Sequence, residues 1–154
     1  MRRKSLYRIV RGAAALALVA VMAVAVACGD DDDDGDGGPG ELSGGILVTF
    51  EAAGEKFKVW VTNPQAIEDI LALRDGTSTA TIPNGAIREG PGLADHNAPW
   101  SWHLDPEDIE MAEVAMELCD GAPWFVEEEL DQFIETAGRY CPWSAALVSV
   151  EDYR

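Results

Sequence analysis

Basic residues are scarce. The chain has 154 residues, with 11 lysines and arginines against 28 aspartates and glutamates. Five of the 11, Arg2, Arg3, Lys4, Arg8 and Arg11, fall in the first 12 residues. From Ile46 onward, six basic residues face 21 acidic ones, a formal charge of −15. A field of that sign repels nucleic acid and anionic lipid headgroups, which excludes nucleic-acid binding, and it attracts cations and basic partners. Histidine is scarcer still. His96 and His103 are the only two, and they form neither His-x-His nor His-x-x-x-His spacing. There is no Gly-x-Ser-x-Gly elbow and no internal repeat. No apolar run reaches the roughly 20 residues that a membrane-spanning helix needs.

What is present begins with an address. The basic stretch 1–12 carries no acid, and residues 13–27 (AAALALVAVMAVAVA) carry no charge at all. Such a pair is a secretion signal, and residues 1–27 are read as one. The apolar run ends Ala25-Val26-Ala27-Cys28-Gly29. Those five residues resemble the lipobox of bacterial lipoproteins, although Ala25 stands where leucine is commoner. The resemblance implies lipidation of Cys28 as the first mature residue. It places the protein in the cell envelope, anchored to the outer face of the cytoplasmic membrane or in the periplasm. The alternative is an ordinary signal cut after one of the alanines, with Cys28 incidental. Arg2-Arg3 hints at twin-arginine export, but Ser5 departs from that pattern.

Residues 28–45 hold six aspartates, one glutamate and many glycines. Such a segment has too little apolar surface to offset the ordering of its backbone, so it is expected to be a disordered, extended tether. Its aspartates lack the set turn and distal glutamate of a calcium loop. One domain remains, residues 46–154, of a size that supports a single core. With Cys28 assigned to lipid, Cys119 and Cys141 are an even pair in an exported domain, where disulfides form and persist. Closing that 22-residue loop should contribute about 3 kcal/mol.

Periodicity supplies the elements. ILVTFEA (46–52) and KFKVWV (56–61) alternate around Ala53-Gly54 and read as a β-hairpin, with Lys56, Lys58 and Trp60 turned away from its core face. Asn63 as cap, Pro64 at the first helical position and Gly76 beyond the end frame a helix with Ile67, Ile70 and Leu71 on one face. TSTATIPNGAIREG reads as strand, turn and strand about Pro83-Asn84-Gly85. Residues 89–98 read as a loop. WSWHLD alternates, with Trp100, Trp102 and Leu104 on one face and Ser101, His103 and Asp105 on the other. EVAMELC (113–119) alternates like a strand, with Val114, Met116 and Leu118 on one face. Residues 123–138 read as a second helix buried through Val126, Leu130, Phe133, Ile134 and Ala137, with AALVSV (145–150) as the last strand. The expected fold is α+β: a mainly antiparallel sheet, two helices packed on it and one disulfide.

Three constellations hold chemistry-bearing residues. Ser101, His103 and Asp105 have the letters of a hydrolase triad, but neighbours two apart on a strand point roughly in parallel, and no oxyanion hole is recognisable. His96 and His103 with Asp95 and Asp105 would make a transition-metal set. Asp105, Glu107, Asp108 and Glu110, with Asp95 and Asn97, would offer oxygens to calcium, but at no recognised spacing. No cofactor is expected, with calcium the one considered. The stronger signal is aromatic. Trp60, Trp100, Trp102, Trp124 and Trp143 all lie in one small domain, which cannot easily hide five.

The segments Ala98-Pro-Trp-Ser-Trp-His-Leu-Asp-Pro, Glu117-Leu-Cys-Asp-Gly and Tyr140-Cys-Pro-Trp resemble a family of small secreted domains of unassigned function. The resemblance implies one fold unit over roughly 46–150 and supplies no assigned activity to carry over. The expectation is therefore a lipid-anchored binding or accessory module. Trp100, Trp102, His103, Asp105, Trp124 and Trp143 are its candidate contacts for a protein, peptide or glycan. The alternative is a metal-dependent binding protein or hydrolase built on Asp95, His103, Asp105 and Asp108.

Overall fold

The computed structural model describes residues 40–154; the expected signal, Cys28 and the tether up to residue 39 lie outside the described residues. Strands β1 (Ile46–Ala52) and β2 (Glu55–Val61) form the expected hairpin, from Ile46 opposite Val61 to Ala52 opposite Glu55. Ala53 and Gly54 both take positive φ, 52° and 85°, which matches a two-residue turn to the twist of its strands. The last strand, β7 (Ala146–Asp152), pairs antiparallel with the free edge of β1.

A second antiparallel sheet is organised on β3 (Ile82–Glu89). Its start pairs with β5 (Glu110–Ala112), its middle with β6 (Arg139–Tyr140) and its end with β4 (Trp102–Leu104). Helix α1 (Pro64–Arg74) buries Ala66, Ile67 and Ile70. Asn63 caps it by accepting from the Gln65 and Ala66 amides, and its Nδ2 donates to the Glu107 and Ile109 carbonyls. One residue thus starts the helix and docks it on the turn before β5.

The fold is α+β with antiparallel sheets, as the sequence indicates, but two small sheets take the place of one. The core between them is aromatic. Phe57 lies 5.8 Å from Phe50, 5.9 Å from Trp102 and 5.5 Å from Tyr140, centroid to centroid. Among the described residues, every core residue lies between Ile46 and Val150, so residues 46–150 enclose a core of their own.

Five local expectations are corrected. Pro83-Asn84-Gly85 is not a turn; it lies inside the continuous β3. Gly85 is there for space, because a Cβ would run into Ile109 and press on Leu104. Residues 113–119 are not a strand. Val114, Met116 and Leu118 are 83%, 56% and 56% exposed, and residues 117–119 form a 3-10 turn. Alanine, methionine and glutamate fit a pleated surface poorly, and this run finds no strand partner.

The second helix is interrupted. It runs as α2 (Pro123–Glu128), a short turn at Leu130–Gln132 and a π-type turn at Phe133–Ala137, closed by Gly138 at φ 65°. Val126 and Phe133 are its fully buried residues besides Pro123, while Leu130, Ile134 and Ala137 are half-buried. Trp60 leaves the hairpin's core face yet is buried, with the Tyr153 ring 5.8 Å away. The end of the expected tether is also part of the fold, since Gly44 donates to the Tyr153 carbonyl and Tyr153 donates to that of Gly45.

Candidate functional site

The segment 99–108 is held as structure. Trp102 and Leu104 are fully buried. Trp100 lies before β4, stacks on Trp102 at 6.1 Å and donates its indole N–H to the Lys56 carbonyl at 2.9 Å. Asn97, fully buried, accepts from the Lys58 amide at 2.7 Å and donates to the Trp102 carbonyl at 2.7 Å. It pins the loop between β2 and β4.

The polar candidates are each engaged elsewhere. His103 Nδ1 meets the Gly90 carbonyl at 2.7 Å; a carbonyl only accepts, so Nδ1 carries the proton. Asp105 pairs with Arg88 at 3.0 Å and accepts from the Glu107 amide. Asp108 accepts from the Ala86 amide at 2.9 Å and from Arg139 at 2.6 Å. Ser101 uses its amide to bind Glu127. No hydrogen bond joins Ser101, His103 and Asp105 among the described residues, so the three letters do not form a relay. Asp95 is exposed at φ 49°. Among the described residues, no three His, Cys, Asp or Glu side chains converge as a metal site.

The two histidines do meet. Their rings lie 5.9 Å apart, edge to face. His96 is buried within the loop before β4, and its Nδ1 meets the Leu93 carbonyl at 3.0 Å. Its Nε2 is buried without a partner among the described residues. Burial holds the imidazole below its ordinary value, opposed by the Leu93 bond and aided by His103 and Lys58.

Among the described residues, six of the nine large exposed apolar side chains lie elsewhere, on the segments flanking the disulfide, while Leu93, Val148 and Tyr153 are exposed on other parts of the fold. Cys119 and Cys141 are bridged with Cα atoms 5.1 Å apart, as their pairing in the sequence indicates. The bridge is buried with Ile82, and Ala112, Ala115 and Ala137 pack on it. The Cys141 amide donates to the Cys119 carbonyl, and the Trp143 amide donates to Asp120 at 2.8 Å. Tyr140, buried behind, donates its hydroxyl to the Gly121 carbonyl at 3.0 Å. Burial pushes its phenol far above the ordinary value, and Asp120 and Glu55 add to the shift.

An open cleft lies on each side of this cluster. One, of about 510 Å³, is lined by Leu118, Phe125, Phe133 and Ala137 with Glu117 and Asp120. The other, of about 310 Å³, is lined by Ile82, Val114, Ala115 and Trp143 with Thr81 and Glu113. Trp124 and Trp143 are about half exposed, 49% and 48%, and Phe125 is 39% exposed. A chain of ring contacts runs from Trp124 through Phe125 and Phe133 to Tyr140 in the core. The Trp124 amide is fixed to Glu55 at 3.0 Å.

The structure therefore divides the expected tryptophans. Trp124 and Trp143 face solvent on segments that follow the two bridged cysteines, while Trp100 and Trp102 belong to the interior and its margin. Sequence reasoning missed Val114, Met116, Leu118 and Phe125 as surface. One signal was available: VAMEL is poor in β-branched residues and ends at a cysteine whose bridge fixes only one end.

Among the described residues, no helix is long and apolar enough to cross a membrane. No curated protein and no solved structure matches the chain. Residues 46–154, the whole folded part from the first strand onward, match the family of the BP-74 N-terminal domain, and the chain belongs to that family.

Proposed function

We propose that this protein is a lipid-anchored binding module of the bacterial cell envelope, and that it engages a polypeptide partner through the apolar surface of its disulfide lobe. One observation carries the reading. Val114, Met116, Leu118, Trp124, Phe125 and Trp143 are all exposed on the segments flanking one disulfide. Large exposed apolar groups grouped on one part of a small domain are unusual unless something covers them. Tryptophan, phenylalanine and methionine are the residues enriched at the centres of such interfaces. A buried disulfide ties the framework beneath, and a preformed surface loses less entropy on binding.

The anchor half of the proposal rests on the basic and apolar start of the chain and on the Ala-Val-Ala-Cys28-Gly sequence. The acidic, glycine-rich stretch that follows would hold the domain away from a negatively charged membrane surface.

The test is site-specific photo-crosslinking in the full chain, in living cells. A photoreactive residue replacing Leu118 or Val114 should give the same discrete adduct. The same probe replacing Glu68 on the exposed side of α1 should give none. Absence of an adduct at both lobe positions, or equal labelling at Glu68, overturns the reading.

A further inference from the structure

We infer that the surface around the Cys119–Cys141 bridge takes a cationic amphipathic polypeptide segment, with an apolar stripe for the clefts and lysines or arginines for their rims. This rests on the proposed binding role and names its partner's chemistry. No lysine or arginine occurs between Arg88 and Arg139, while that stretch contains 14 aspartates and glutamates. Glu117 and Asp120 edge one cleft and Glu113 edges the other. Glu127, Glu128, Glu129 and Asp131 line a third hollow along the interrupted helix.

These charges are not neutralised from within. Arg74, Arg88, Arg139 and Arg154 pair with Asp75, Asp105, Asp108 and Asp152, and Arg139 also reaches Glu110. The remaining two bases, Lys56 and Lys58, stand on β2. No ion pair involves Glu113, Glu117, Asp120 or the Glu127–Glu129 run among the described residues. Asp120 and Glu127 accept from backbone amides and Glu113 from the Thr79 hydroxyl, which leaves their charge unpaired; an apolar floor between such carboxylates favours a ligand that supplies both hydrocarbon and positive charge.

The same features weigh against other occupants. Two copies would bring like-charged rims together. Anionic lipid is repelled. A sugar stacks on aromatic planes, whereas half of this surface is aliphatic or thioether: Val114, Met116 and Leu118. Met116 is unbranched and polarisable, which suits an adaptable apolar contact. Spaced three and four residues apart, the apolar side chains of an amphipathic helix would present one such stripe.

The experiment uses residues 40–154, which contain that core, and a synthetic amphipathic helix of leucine and lysine. A twin peptide has glutamine for lysine. Trp124 and Trp143 report binding by fluorescence, and titration gives Kd. The lysine peptide should bind at least about tenfold tighter than its twin at low salt, and the advantage should shrink as salt shortens the screening length. Leu118→Ser should weaken both peptides, and Leu118 is exposed enough for the variant to fold. Replacing Glu117, Glu128 and Glu129 with glutamine should weaken the lysine peptide alone.

Equal binding of the two peptides, still lost in Leu118→Ser, keeps the surface and overturns the cationic partner. Binding indifferent to Leu118→Ser overturns the surface itself. No binding of either peptide overturns the cationic partner and leaves the crosslinking result to judge the surface. A dimer in sedimentation that Leu118→Ser dissolves overturns it in favour of a second copy.

Discussion

His96 shows how one residue couples the loop before β4 to pH. Its Nδ1–H is committed to Leu93 and its Nε2 is buried without a partner among the described residues, so a second proton would place a charge in a buried site. The neighbours that face it, His103 from β4 and Lys58 from β2, are bases, and both oppose that charge. The folded-state pKa therefore lies below the unfolded one. The unfolded chain takes up the proton first, so stability contributed by neutral His96 is present above about pH 6.5 and is lost as pH falls through the folded value. Thermal midpoints should decline between neutrality and about pH 5.5, above the range of ordinary carboxylates. His96→Gln should flatten that decline. An unchanged slope in the variant would assign the effect to another group. Asn97, next in the chain, was legible only as a potential cation ligand. Its role as a bridge between β2 and β4 depends on a meeting of residues 39 and five positions away, which no local pattern announces.

At the scale of elements, what was legible was what is local. The hairpin, the Asn63-Pro64 helix start and the disulfide pair each carry their cause within a few residues or in simple parity. The misread elements depend on tertiary space. Pro83-Asn84-Gly85 has turn chemistry, but pairing with β5 and β6 holds it extended, and at Gly85 a Cβ would push on the tip of Ile109 and press on Leu104. EVAMELC alternates, yet β3 has already committed its edges to β4, β5 and β6, so nothing pairs with the run and its apolar side chains stay outside. Six of its residues precede the bridge that anchors it, and the bridge should govern the lobe. Replacing both Cys119 and Cys141 with serine should cost about 3 kcal/mol by the loop-closure argument. Amide exchange should accelerate first in 113–122 and 133–143, before the β1–β2–β7 sheet opens. A loss under about 0.5 kcal/mol, within the range of neutral surface changes, would show that packing on Ile82 and Ala115 holds the lobe without the bridge.

For the whole molecule, charge is distributed by task. The five basic residues before the apolar run and the aspartates after Cys28 stand on opposite sides of the proposed processing site. A positive leader favours retention on the cytoplasmic side during export, while an acidic spacer is repelled by the anionic surface to which a lipid would hold it. The domain continues the same sign, with its lobe acids unpaired by any base among the described residues. Charge alone would then not keep the protein at the membrane, since both the tether and the domain are acidic and repelled by its surface, which leaves the role to the lipid. Cys28→Ala should accordingly shift the full chain from the membrane fraction to the soluble envelope or the medium, and added salt should not reverse the shift. Lobe variants such as Leu118→Ser should fractionate as the unaltered chain does. Membrane retention of Cys28→Ala would remove the lipid anchor from the account. Retention that then disappeared on adding Leu118→Ser would mean that the lobe's partner, and not a lipid, is what holds the protein in place.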